Sequence, residues 1–244
     1  MDKLSLLRGE PYKITDRVMV RNPSLGEICE FGENKYWGTL TGLCATSFDY
    51  ILDLHEAGVD YLEISDWEMF INIHRGFDYE RTKLVIPGVD FSTLIPKKSE
   101  TSGSIALFDE NDEIVITEPI YYEITNYIRE CHGFERNWKR PGNEKARQIY
   151  IRDAREARQY AGRRQPKSML EPLVSAMCNH EGFKYDLNTV WDLNIYAFMD
   201  ATKRIQKIQN ANHFMSGMYS GMMDIKKIGK GKLNETLNWL GELK

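Results

Sequence analysis

His55-Glu56 has the residue order with which a helical zinc hydrolase site begins. Such a site needs a second histidine four residues after the first, one helical turn on, and that position is Val59. Soft metal ligands recur at Cys131-His132 and Cys178-Asn179-His180, without the paired spacing of a structural zinc site. The acidic run Asp109-Glu110-Asn111-Asp112-Glu113 has the charge of a calcium loop but lacks its central glycine and distal bidentate glutamate, and reads better as a solvated hairpin tip. Gly229-Lys230-Gly231-Lys232 lacks the preceding glycine and the following Ser or Thr of a phosphate loop. Asp60 and Glu63 could share general acid–base work only if the fold made them face each other. The residue types therefore predict no catalysis, no metal and no cofactor.

Two other stretches are unusual. Residues 136–167 hold eleven basic side chains against Glu144, Asp153 and Glu156, a local charge of +8 that leaves −12 on the other 212 residues. A run like this is a solvated helix face, or it attracts an acidic protein or a nucleic acid. The chain's overall charge of −4 excludes a uniformly basic nucleic-acid coat. The segment Met215-Ser216-Gly217-Met218-Tyr219-Ser220-Gly221-Met222-Met223 is rich in small and pliable side chains. It fits a core corner, or a soft groove for another chain's apolar helix.

The elements that carry these stretches can be read from periodicity. Residues 12–21 alternate as a strand ended by Pro23, and Ser24 with Glu27 forms a capping box before a helix that stops at Gly32. Helices follow over 33–45 and 48–56, and Ser65 with Glu68 opens another that stops at Gly76. Leu84-Val85-Ile86 and the stretch to Ile95-Pro96 read as edge strand and loop, and 97–103 as a polar, mobile segment. Residues 105–108 and 114–116 form a hairpin around the acidic turn. Pro119 starts a helix that Gly133 ends. A basic helix over 144–161 shows a thin apolar side of Ala146, Ile149, Tyr150, Ala154, Ala157 and Ala161, which predicts a peripheral element that orders in a complex. Helices around 170–177, 193–212 and 233–240 complete the chain.

The fold class expected is α+β, mostly α-helical with an inserted β hairpin or small antiparallel sheet. The parts are an N-terminal strand and short-helix module (1–80), a hairpin and helix insertion (81–133), a basic linker and helix (134–167) and a C-terminal helical part (168–244), which can pack as one unit. With 244 residues and 42% hydrophobic side chains the chain can build its own core. Scattered Cys29, Cys44, Cys131 and Cys178 suggest free thiols in a reducing compartment. No apolar run is long enough to cross a bilayer, and the charged N-terminus does not read as a secretory signal.

The stretch Arg21-Asn22-Pro23-Ser24-Leu25-Gly26-Glu27-Ile28-Cys29-Glu30-Phe31-Gly32-Glu33-Asn34-Lys35-Tyr36, followed by Ala57-Gly58-Val59-Asp60-Tyr61, resembles proteins encoded by tailed bacteriophages of Gram-positive hosts. So do Gly182-Phe183-Lys184-Tyr185, Val190-Trp191-Asp192-Leu193, Ile195-Tyr196-Ala197-Phe198-Met199-Asp200-Ala201 and the region of Tyr219-Ser220-Gly221-Met222. The first stretch looks like the opening of phage tail assembly chaperones. The resemblance implies a non-catalytic chaperone, in the cytoplasm of the infected bacterial host, that keeps a long helical tape-measure or other tail protein soluble during tail morphogenesis. Self-association is a further outcome, and neither nucleic acid nor membrane is an expected partner. On this reading Met215, Met218, Tyr219, Met222 and Met223 supply the apolar contact, and Arg147, Arg152, Arg155 and Arg158 attract an acidic partner. The alternatives are a virion or neck structural component and, less favoured, a nucleic-acid binder using the basic helix.

Overall fold

Capping boxes at Ser24–Glu27 and Ser65–Glu68, with a set of glycine stops, divide the first eighty residues into short helices, as the spacing predicts. In the computed structural model, which describes residues 2–98, 103–161, 167–221, 229–241 and 243, the chain begins with α1 (Lys3–Arg8), β1 (Tyr12–Lys13) and β2 (Met19–Val20). There follow α2 (Leu25–Phe31), α3 (Glu33–Leu43), α4 (Ile51–Glu56), α5 (Asp66–Ile73) and α6 (Tyr79–Thr82), joined by single 3-10 turns at Ser47–Tyr50, Tyr61–Glu63 and His74–Gly76. Ser24 accepts from the Glu27 N–H, Ser65 from the Glu68 N–H, and both glutamates reach back to the cap N–H.

The 12–21 strand is instead a small hairpin. The Thr15 hydroxyl accepts from the Arg17 and Val18 N–H groups, bending the chain so that Tyr12 pairs with Val20 and Lys13 with Met19. Leu84-Val85-Ile86 is a buried turn rather than an edge strand, because the Val85 and Ile86 N–H groups both return to the Thr82 carbonyl. The second hairpin is present as expected. β3 (Ile95–Lys98), β4 (Ile105–Phe108) and β5 (Val115–Ile116) form an antiparallel sheet in the order β3-β4-β5. Its exposed edge, β3, carries Pro96, Lys97 and Lys98, which discourage pairing with another chain.

α7 (Glu118–His132) lies across this assembly, with Tyr121, Ile124, Tyr127, Ile128 and Cys131 buried and Gly133 closing it at φ +65°. α8 (Glu144–Ala161), α9 (Leu170–Cys178), α10 (Ile195–Tyr219) and α11 (Lys230–Leu237) complete the described helices. The architecture is α+β and 59% helical, with two small antiparallel sheets. No helix among the described residues is long and apolar enough to cross a membrane.

An aromatic nest organises the principal core. Phe70 stacks on Tyr121 at 4.7 Å and meets Phe91 edge-on at 5.4 Å, with Trp67 and Phe77 alongside. Phe77 lies so close over Gly42 that a Cβ there would fall 2.9 Å from its ring, which is why α3 needs a glycine at this point. The same cluster takes in Leu170, Val174, Met177, Val190, Ile195 and Phe198, so the C-terminal helices share it with the N-terminal ones.

The seam between the two ends of the chain is made of polar contacts. Leu25 N–H donates to the Leu193 carbonyl and Ile195 N–H to the Pro23 carbonyl. Asn194 donates to the Leu7 carbonyl and accepts from Asn22 at 2.9 Å. One carboxylate secures α9: Glu33 accepts from the Met169 and Leu170 N–H groups (2.7 and 2.9 Å), the Ser168 hydroxyl and the Trp37 indole. Partial burial works against its ionisation, but these four donors prevail and hold it below the usual glutamate range. Glu33→Gln should cost about 1–3 kcal/mol, read from the urea midpoint, because charged acceptors give the stronger hydrogen bonds. A change below about 0.5 kcal/mol would show the cap to be dispensable.

Candidate functional site

The basic segment begins as an anchored strap, not as a loose linker. The Thr46 hydroxyl donates to the Asn137 carbonyl, the Asn137 amide to Asp49, and the Tyr61 hydroxyl to the Lys139 carbonyl at 2.7 Å. Arg136 reaches Asp66 with two nitrogens, at 2.9 and 2.7 Å. Asp66 is 1% exposed at the first position of α5.

Helix α8 then orders on the protein's own surface. It packs on α4 and the following turn, where Ile51, Leu52, Leu54, Tyr61 and Met69 form a second apolar cluster that Ile151 enters. Tyr150 meets Phe48 edge-on at 5.5 Å, and the Lys139 ammonium lies over both rings. The buried apolar residue is Ile151, whereas Ile149 remains 46% exposed. The spacing that predicts Ile149 on the apolar side is thus corrected by two residues, to Ile151.

This docking sorts the four arginines onto two faces. Arg147 pairs with Asp60 at 3.1 Å, and Arg158 with Asp53 at 2.5 Å and Glu56 at 3.7 Å, so both turn toward acids of the same chain. Arg152 pairs within α8 with Asp153 and Glu156, and Arg155 is exposed with no ion pair among the described residues. The outward surface is therefore less basic than the sequence count suggests. Asp60, moreover, caps the 61–63 turn through the Leu62 N–H and pairs with Arg147, which gives it a structural task.

The glycine- and methionine-rich segment is helical to Tyr219, and Ser220 and Gly221 then form a turn. α10 runs on to Tyr219, seven residues past the predicted end at 212. Met215 and Met218 are half-buried, and Tyr219 is 88% exposed on the last turn. Met222 and Met223 lie outside the described residues. Upstream, α11 packs against α10, and Arg204 and Lys207 donate to the Gly241 carbonyl.

Several of the reactive side chains singled out from sequence are held in structural contacts. Burial pushes the Cys44 and Cys131 thiols up to about 12, so neither carries appreciable thiolate at neutral pH. His132 is enclosed between the Tyr36 hydroxyl and the Ile128 carbonyl. The acidic turn is braced by Lys97 on Asp112 and Arg17 on Glu113. Among the described residues, no three His, Cys, Asp or Glu side chains converge as a metal site requires. Open clefts among the described residues include one of about 760 Å³ beside Gly42, Phe77 and Arg81 and one of about 820 Å³ between α7 and α10. Sequence reasoning missed the strap and the Glu33 cap, whose partners lie tens of residues away and leave no local pattern.

Residues 163–244 match the family model described as the YomV second domain. That family is named after a protein of a Bacillus phage region, which relates the C-terminal third of the chain to phage proteins. No curated protein and no solved structure matches the chain.

Proposed function

We propose that this chain is a phage tail assembly chaperone that binds the tape-measure protein in the cytoplasm of the infected host, without covalent chemistry. The observation that carries this reading is the C-terminal turn of α10, where Tyr219 stands 88% exposed beside half-buried Met215 and Met218. That end lies within the segment related to a phage-region family. An exposed tyrosine beside pliable thioethers suits an adaptable, releasable contact with an apolar helix. A chaperone must let its client go when tube subunits arrive, so modest affinity is an advantage.

The test is co-expression with the tape-measure protein of the same phage, followed by measurement of its soluble fraction. The chain should raise that fraction. Tyr219→Asp should weaken the complex about 10- to 30-fold without lowering the thermal midpoint, since the side chain is an interface anchor and not part of the core. Equal solubility with and without the chain overturns the proposal. Recovery of the chain at fixed copy number in purified particles would replace it with a structural role in the virion or neck.

A further inference from the structure

Helix α8 is fastened by two contacts of very different strength. Its leading strap is pinned through Arg136, Asn137 and Lys139 to buried or half-buried partners. Beyond the strap, Arg140, Pro141 and Gly142 make no hydrogen bond among the described residues, and α8 starts immediately afterwards with Asn143 accepting from the Ala146 N–H. The inward face of α8 is Arg147, Tyr150, Ile151, Ala154 and Arg158, a helical spacing in which only Ile151 is fully enclosed. Tyr150 and Ala154 flank it against the same cluster, and charge lies at either end of this face. Arg147 sits between Asp60 and Glu144, and Arg158 between Asp53 and Glu56, with Lys139 over the neighbouring rings. The Arg158 pairs are half-exposed on both sides and so open to salt.

The apolar groove under α8 forms a cluster distinct from the principal core. We propose that α8 is a salt-sensitive latch, a basic amphipathic helix that covers the acid-rimmed groove of α4 and swings away about Pro141–Gly142 while the principal core stays folded. Opening exposes Ile51, Leu52, Leu54 and Tyr61 together with the carboxylates of Asp53, Glu56 and Asp60. It is a sub-global event because it breaks the contacts of Ile151, Tyr150 and Ala154 with the second cluster and the ion pairs around them, not the aromatic nest.

Amide hydrogen exchange on the full chain tests this, with α8 compared against α7 in the same sample. Raising sodium chloride from 0.05 to 0.5 M should speed exchange across 144–161 by about 5- to 10-fold, the size set by the two half-exposed Arg158 pairs and the more covered Arg147–Asp60 pair. Exchange in 118–132 should not change. Arg147→Gln with Arg158→Gln should give the fast exchange already at low salt, and Asp53→Lys with Arg158→Glu should restore protection relative to either change alone. Limited trypsin cleavage at Arg152 and Arg155 should follow the same order. Salt-independent protection of α8 would overturn the latch, as would acceleration of α7 together with α8.

Discussion

Arg136→Ala should destabilise the fold by about 3–5 kcal/mol, the cost of leaving a buried carboxylate without its cation. Asp66 is 1% exposed, and Arg136 holds one of its oxygens with two nitrogens, while among the described residues the remaining donor to it is the Ser47 N–H at 3.3 Å. The position at the head of α5 provides favourable dipole, but that is worth only about 0.3–1 kcal/mol. Removing both charges is the informative control. Asp66→Asn combined with Arg136→Ala should recover most of the loss, because an amide costs far less to bury than an ion. Urea midpoints of the two single variants and the double variant decide it. A loss below about 1 kcal/mol for Arg136→Ala would mean that water reaches Asp66 and that the pair is an ordinary surface contact.

Acid should weaken the protein well before its carboxylates titrate, through His132. Burial pushes this imidazole down to about 4, although the Ile128 carbonyl pulls in the opposite direction. Its Nδ1 faces that carbonyl at 2.6 Å and therefore carries the proton, and Nε2 accepts from the Tyr36 hydroxyl at 2.5 Å. The histidine must stay neutral in the fold. Above about pH 6.5 it is neutral in both states and contributes its full stability. Below that, the unfolded chain takes up a proton that the native one refuses, and stability falls as pH drops toward 4. The total is about 3 kcal/mol, with a slope reaching about 1.4 kcal/mol per pH unit. Urea unfolding between pH 7.5 and 4 should show this decline, and His132→Gln should flatten it while lowering stability at neutral pH. An unchanged slope in that variant would assign the effect to other groups.

The division between what could be read in advance and what could not follows the range of each interaction. Ser24 with Glu27, Ser65 with Glu68, the stop at Gly133 and the start of α8 are set within a few residues, and all are found where the spacing puts them. Residues 12–21 misled because alternation cannot register a threonine hydroxyl that captures two N–H groups and turns the chain. Leu84-Val85-Ile86 misled because a short apolar run is equally at home in a buried turn. For the candidate surfaces, composition located the basic helix but not its orientation. Which arginines face outward depends on Asp53, Glu56 and Asp60, some ninety to a hundred residues earlier in the chain, and no local periodicity carries that pairing.

The seam joining Asn22 to Asn194, 172 residues apart, has a bearing on biosynthesis. Leu6, Leu25 and Ile28 emerge early from the ribosome, yet Ile195 and Phe198, which share their cluster, are made well over a hundred residues later. At about 5–20 residues per second the early helices wait roughly 10–30 s for those side chains. During that interval a nascent polypeptide displays oily helix faces that the finished molecule conceals, and a ribosome stalled short of residue 195 would release a product prone to clumping.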